Sequence, residues 1–137
     1  MTRFSITMDE ALDFVLESTK IGHGSEIFVP KLRAYDIMEL KDAIVELLDD
    51  PGFEIIGVRQ GEKLHEILIN NDEIKNAWEY NNLYIITDDQ YKQKSFQDLF
   101  PGIKKIQNLD KYSSDVVQKL SKDELKKIIT ESKLISK

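Results

Sequence analysis

A spacing that satisfies the free amides of a helix start stands ahead of each of three apolar runs in this chain: Thr7-x-x-Glu10, Asp36-x-x-Glu39 and Ser121-x-x-Glu124. In each, an oxygen-bearing side chain stands three residues before a carboxylate and immediately ahead of apolar residues at helical intervals. Ala11, Leu12, Val15, Leu16 and Thr19 follow the first, so a helix is predicted over residues 8 to 21, with Gly22 and Gly24 placed to stop it in a left-handed conformation. Leu40, Ala43, Ile44, Leu47 and Leu48 follow the second, and the turn Asp49-Asp50-Pro51-Gly52 closes it. Leu125, Ile128 and Ile129 follow the third.

Between the helices lie short β-prone runs. Phe4 and Ile6 make an extended start, Glu26-Ile27-Phe28-Val29 is a buried strand ended by Pro30, and Phe53 to Val58 reads as another strand. Strands alternating with helices predict an α/β fold, a small mixed or parallel sheet with flanking helices, because parallel neighbours need long crossovers. Farther along, Gly61-Glu62-Lys63 is expected to open a short helix through Leu68. Another helix is expected from Asn71 or Asp72 through Ile74, Ala77 and Trp78, followed by a strand at Leu83-Tyr84-Ile85-Ile86. Residues 88 to 111 lack periodicity and contain Pro101-Gly102, which predicts a long loop or arm rather than packed core.

Composition narrows the function classes. With 137 residues, 41% hydrophobic and 32% charged, the chain fits one globular domain. Its charge of -6 is spread along the chain, which argues against nucleic acid as a partner. No cysteine is present, so thiolate chemistry and cysteine-based metal sites are excluded. Neither a leader's apolar region nor a membrane-spanning run is seen, and a cytoplasmic protein without a membrane partner is expected.

The chemistry-bearing segment is Gly57-Val58-Arg59-Gln60-Gly61-Glu62-Lys63-Leu64-His65-Glu66, a strand end handing over through glycine to a predicted helix. Ligands of open α/β sheets gather at such strand ends, and helix starts offer amides to anions. Arg59 could hold a phosphate through two parallel hydrogen bonds, and Glu62 could accept from the vicinal hydroxyls of a ribose. The same spacing suits a surface arginine and a carboxylate that complements the helix dipole. Glu62 and His65 stand in the Glu-x-x-His relation of metal-binding helices, but the motif occurs once, so no metal ligands are assigned and His65 reads as a helix-surface residue or one that supports a residue of the site from behind. For Trp78 a packing role outweighs a stacking surface. Neither a hydrolase constellation nor the glycine fingerprint of a dinucleotide cradle is found, so no catalytic and no cofactor-binding residues are assigned.

At these residues the chain resembles the UDP-N-acetylglucosamine 4,6-dehydratases of polysaccharide biosynthesis, members of the extended short-chain dehydrogenases/reductases. The resemblance is to their C-terminal portion. It is carried by Met1-Thr2-Arg3-Phe4-Ser5-Ile6, Glu10-Ala11 with Phe14-Val15, Glu26 through Lys31, Gly57 through Glu66, and Tyr112-Ser113-Ser114-Asp115 with Leu120-Ser121 and Glu124-Leu125. It implies that Arg59 meets the pyrophosphate of a UDP-sugar, that Glu62 takes the ribose hydroxyls, and that Arg3 lies at the same phosphates, with Lys31 as a neighbour. Leu32-Arg33-Ala34-Tyr35 departs from the family pattern. The family's Tyr-x-x-x-Lys pair and its NAD(P) site belong to a preceding Rossmann half, to which no residue here corresponds. The resemblance therefore implies a nucleotide-sugar-binding domain at residues 1 to 87, completed by an arm and helix at 88 to 137, and not catalytic alone. A chain that starts inside the Met-Thr-Arg-Phe motif is expected to be a split subunit, a relic or an excised domain. Expected partners are a UDP-sugar and a Rossmann-half chain; a non-catalytic interaction module that forms a homo-oligomer is the alternative.

Overall fold

A computed structural model describes residues 1–48, 50, 52–87 and 93–132. In chain order its elements are β1 (Thr2–Ser5), α1 (Met8–Ile21), β2 (Ile27–Pro30), β3 (Arg33–Asp36), α2 (Ile37–Leu47), β4 (Ile67–Ile69), a 3-10 turn (Glu73–Asn76), β5 (Ala77–Tyr80), β6 (Leu83–Ile86), α3 (Gln93–Leu99), β7 (Lys104–Lys105), β8 (Tyr112–Ser113) and α4 (Lys122–Glu131). They form two units interleaved in sequence. One comprises Met1–Ser5, Arg33–Glu66 and Ser114–Lys137; the other comprises Ile6–Leu32 and Ile67–Ser113.

In the first unit β1 pairs antiparallel with β3, Thr2 opposite Asp36 and Ser5 opposite Arg33. Asp36 accepts the Met38 amide at 2.8 Å and so starts α2 directly from the end of β3. Ser121 and Glu124 form the reciprocal cap that the spacing predicts for α4. Ala43 is completely buried with Leu120 and Leu125. A methyl side chain at that contact lets α2 and α4 approach closely, while Leu40, Ile128 and Ile129 pack around it. Glu46 reaches from α2 to both Lys122 and Lys126 on α4. Their hydrogen bonds hold its carboxyl down to about 2, below the ordinary glutamate range.

In the second unit an antiparallel sheet runs β2-β6-β5-β7. Tyr80 pairs with Leu83, so β5 and β6 are joined by the two-residue turn Asn81-Asn82, with Asn81 at the positive φ of 47° that such turns need. Trp78, Leu83 and Ile85 pack against Phe96, Phe100 and Ile103, with Phe14, Ile21 and Phe28 at the margin. β4 pairs antiparallel with β8. The Tyr112 hydroxyl on β8 accepts the Leu32 amide and lies 3.1 Å from the Leu32 carbonyl.

The α/β class and helices α1, α2 and α4 agree with the sequence reading, but several expectations are corrected. Strands pair antiparallel, not parallel, because α1 joins β1 and β2, which lie in different sheets. The single parallel contact among the described residues is an isolated bridge from Ala34 to Lys119. Gly22 is extended at φ -68°, not left-handed; its value lies in space, since a Cβ there would stand 3.1 Å from the Ser18 carbonyl. Residues 53–58 form no ladder: Phe53, Ile55, Ile56 and Val58 are exposed, and no described strand supplies the hydrogen-bonding partner a strand requires. Residues 71–78 give only the 3-10 turn and then β5, because the Asn70 side chain takes the Asp72 and Glu73 amides and tightens the turn.

The expected arm at 88 to 111 is also corrected. Residues 88–92 lie outside the described residues, but 93–103 contribute α3 and core: Phe96 and Phe100 are each 1% exposed. Part of the Asp49-Asp50-Pro51-Gly52 turn likewise lies outside the described residues.

Candidate functional site

The segment expected to open a helix at Gly61 is instead a turn followed by a strand. Gly57 and Gly61 have φ of 75° and 83°, a region costly for residues with a Cβ. Beyond the turn, tertiary bonds draw the backbone out: Leu64 accepts the Thr2 amide at 3.0 Å, and Glu66 accepts the Ser114 amide at 2.8 Å. Each such bond uses a group a helix would have needed internally. The corrected local structure removes the helix start as an anion site and the shared helical face of Glu62 and His65.

Glu62 is the hub of what replaces it. Its amide donates to the Arg59 carbonyl at 3.0 Å, and its Oε2 accepts the Arg59 amide at 3.1 Å. Both main-chain groups of Arg59 are thereby held by one residue. The other carboxylate oxygen, Oε1, lies 3.5 Å from Nη2 of Arg3. Arg3 is folded back on its own strand: Nη1 donates to the Thr2 carbonyl at 2.8 Å, and Nε is 3.6 Å from Glu66. Glu66 in turn accepts the Phe4 amide at 3.0 Å. Partly exposed pairs of this kind contribute about 0–1 kcal/mol each, so they orient more than they stabilise.

The structure thus brings Arg3 and Glu62 together by an ion pair, and Arg59 and Glu62 by a side-chain cap. Arg3 faces two carboxylates and its charge is largely spent on them. The Arg59 guanidinium is exposed and, among the described residues, has neither an ion pair nor a hydrogen bond. Arg59 and Glu62 line a groove of about 570 Å³ whose other walls include Phe53, Ile55, Val58 and Leu64. One cation open to a ligand, one carboxylate with spare lone pairs and an apolar floor suit an anion carrying a flat or apolar group.

Lys41, also on the groove, was missed by the sequence reading. Its ammonium lies 4.4 Å from the centre of the Phe53 ring, a contact across twelve residues with no local signal. Lys31 belongs to the other unit, where it pairs with Glu79 at 2.6 Å and stands over Tyr84. Thr2 and Ser114 were named only as parts of motifs; both are buried, 2.8 Å apart, and touch the site through backbone and hydroxyl bonds.

The starts of α1, α2 and α4 do not fit a dinucleotide cradle. Thr7, Asp36 and Ser121 cap the starts of α1, α2 and α4 with their own side chains, and no glycine-rich turn leads into these helices. Among the described residues no group of three histidine or acidic side chains stands close enough to hold a metal.

In architecture the chain is similar to Pen from Bacillus thuringiensis, seen in an X-ray structure. At TM-score 0.81 and 28% identity, the match covers 98% of this chain and 40% of that one. In sequence, the chain is 38% identical over 120 residues to a UDP-N-acetylglucosamine 4,6-dehydratase (inverting) of Campylobacter jejuni, covering 84% of this chain and 35% of the relative. It is 31% identical over 130 residues to a UDP-glucose 4-epimerase of Rickettsia massiliae, covering 94% of this chain and 38% of that relative. The model of a family described as polysaccharide biosynthesis protein matches residues 1–88. The chain belongs to that polysaccharide biosynthesis family, and it spans little more than a third of the length of these two relatives.

Proposed function

We propose that this chain is the UDP-sugar-binding portion of a sugar-nucleotide 4,6-dehydratase or epimerase of polysaccharide biosynthesis, acting in the cytoplasm and not catalytic by itself. The observation that carries the reading is the arrangement at residues 59–62. The Glu62 carboxylate fixes the backbone of Arg59 and leaves its guanidinium unpaired on an apolar groove. Arg59 clamps the pyrophosphate, Glu62 accepts from the ribose hydroxyls, and Arg3, held beside Glu62, lies at the same phosphates. Oxidation by NAD(P), loss of water and return of the hydride then require a Rossmann half, on a second polypeptide or elsewhere in a longer chain. The apolar stripe of α1 supports such docking: Leu12, Val15 and Leu16 are all more than half exposed, and no residue of that helix is buried.

Titration calorimetry with UDP tests the site. Saturable binding is expected, weakened about tenfold or more by Arg59→Ala or Glu62→Ala, since hydrogen bonds to charged groups contribute about 1.5–3 kcal/mol. Absence of heat at millimolar UDP, both for the chain alone and with a Rossmann half added, refutes the reading.

The same exposed stripe supports a second reading, a non-catalytic module that associates with itself. Sedimentation separates the two. Self-association lost on Leu12→Glu favours the module; a monomer that gains mass only with a Rossmann half favours the substrate-binding role.

A further inference from the structure

We infer that His65, Thr2 and Ser114 form a directed chain of hydrogen bonds that positions Arg3 and the 62–66 segment, with His65 carrying its proton on Nδ1. These three are positioning residues, and what they position as a binding site rests on the nucleotide reading above.

The direction follows from counting protons. Ser114 is fully buried, and its Oγ meets three partners: the Glu66 amide at 2.9 Å, the Thr2 carbonyl at 3.2 Å and the Thr2 hydroxyl at 2.8 Å. A serine hydroxyl has one proton and two lone pairs. The Glu66 N–H must donate to it and the Thr2 carbonyl can only accept from it, so its proton goes to that carbonyl and the Thr2 hydroxyl donates inward. With its own proton committed to Ser114, Thr2 Oγ1 can only accept from His65 Nδ1, which lies 2.8 Å away. The imidazole Nδ1 is therefore a donor. The reverse direction would forfeit the Ser114 hydrogen bond to the Thr2 carbonyl and leave that carbonyl to Arg3 Nη1 alone.

The carbonyl at the end of the chain is the one that Arg3 Nη1 grips at 2.8 Å. Ser114 and Arg3 together fill both its lone pairs, so the guanidinium is held at a fixed point. The same Ser114 hydroxyl holds the Glu66 amide, and Glu66 Oε1 faces Arg3 Nε. Arg3 is thus anchored twice through one buried hydroxyl, from residues 112 positions apart in sequence. Removing the Ser114 hydroxyl takes away one of the two donors on that carbonyl and the acceptor of the Glu66 amide, and removing the Thr2 hydroxyl takes away the donor that holds Ser114 in place, in neither case altering a charge.

Nuclear magnetic resonance of the 137-residue chain, at a pH where imidazole is neutral, tests this directly. The nitrogen shifts of His65 are expected to show a protonated Nδ1 and a bare Nε2, with His23 as the internal comparison. Thr2→Val keeps the side chain's shape and removes the hydroxyl. It is expected to return His65 to the Nε2-protonated form that free imidazoles favour and to speed exchange of the Arg3 Nε proton; Thr2→Ser is expected to restore both. Ser114→Ala should speed Arg3 exchange as well. UDP affinity should fall about fivefold to tenfold in Thr2→Val and recover in Thr2→Ser. A His65 protonated on Nε2 in the unaltered protein overturns the inference, as does unchanged Arg3 exchange in Thr2→Val. If Thr2→Val does not fold, the His65 tautomer of the unaltered protein and the Ser114→Ala exchange rate decide. If the unaltered protein does not bind UDP, the nucleotide reading falls while the His65 and Arg3 signals still decide the lock.

Discussion

Replacing Phe96 and Leu16 separately by alanine inverts what residue spacing alone suggests about where this chain keeps its core. Leu16 belongs to a regular apolar stripe, and Phe96 lies in a stretch without periodicity. Yet Phe96 is 1% exposed and Leu16 is 57% exposed. Phe96 packs 4.9 Å from Phe100 and 5.6 Å from Trp78, centre to centre. A buried aromatic removes roughly 150–250 Å² from water, worth about 4–6 kcal/mol at roughly 25 cal/mol per Å². Alanine keeps a methyl's share, and the unfolded chain already hides some surface, so about 3–4 kcal/mol is expected for Phe96→Ala. A fully buried leucine contributes about 1.5–3 kcal/mol, of which Leu16 realises less than half, and alanine's helix preference offsets part of that. Leu16→Ala should therefore cost under about 1 kcal/mol. Urea unfolding followed by Trp78, the one tryptophan, reads the unit that holds both residues. With a slope of about 1–3 kcal/mol per molar urea, the Phe96 midpoint should fall at least about 0.7 M farther than the Leu16 midpoint. Equal shifts, or a larger one for Leu16, would refute the placement of α3 in the core and of the α1 stripe outside it.

Two further substitutions probe each unit through its titrating groups. Burial pushes the Tyr112 hydroxyl up to about 12, so its contribution to stability is present below the ordinary tyrosine range and lost as pH rises through that value. Tyr112→Phe should cost about 1–2 kcal/mol at neutral pH by leaving the Leu32 amide unpaired, and should abolish the last tyrosine transition in an absorbance titration. Glu46, held down to about 2 by Lys122 and Lys126, contributes stability that is present above the ordinary glutamate range and lost as pH falls toward 2. Melting temperatures of Glu46→Gln should fall less steeply through that acid window than those of the unaltered protein; parallel curves would show that the pair does not support α4.

The parts of this fold that could be read from sequence are those whose signals are local. Thr7 with Glu10 and Ser121 with Glu124 are complete caps within four residues, and the helices they open begin where the spacing says. Elements defined by a distant partner were not legible. Ile67-Leu68-Ile69 is too short to declare itself helix or strand, and it becomes β4 because Tyr112 and Ser113 are there to pair with it. β3 was missed because Asp36 carries the cap signal of α2 and the three residues before it make no β-prone run, although Ala34 among them is fully buried. α3 did carry a signal, Phe96 and Phe100 four residues apart, but the polar composition around it obscured the pair. At the site, Arg59 and Glu62 were legible as a spacing, and their turn was misread as a helix because its tertiary hydrogen bonds come from Thr2 and Ser114.

Among the described residues, apolar pattern and burial disagree at the α1 stripe and at residues 53–58, one in each unit. Scattered exposed leucines need no explanation, since much of any protein surface is apolar. These are not scattered: Leu12, Val15 and Leu16 keep helical register, and Phe53, Ile55, Ile56 and Val58 crowd one six-residue segment. Register is the costly feature, because each residue in it must be apolar at one position and free to be polar at the next. Within the second unit the edge of α1 that does reach the core is made by Phe14 and Ile21 instead, so the stripe is not a core face slightly misplaced. A helix with two apolar faces is the pattern of an element that packs on both sides. The described residues supply one of those sides, and relatives nearly three times as long as the matched segment have ample chain to supply the other.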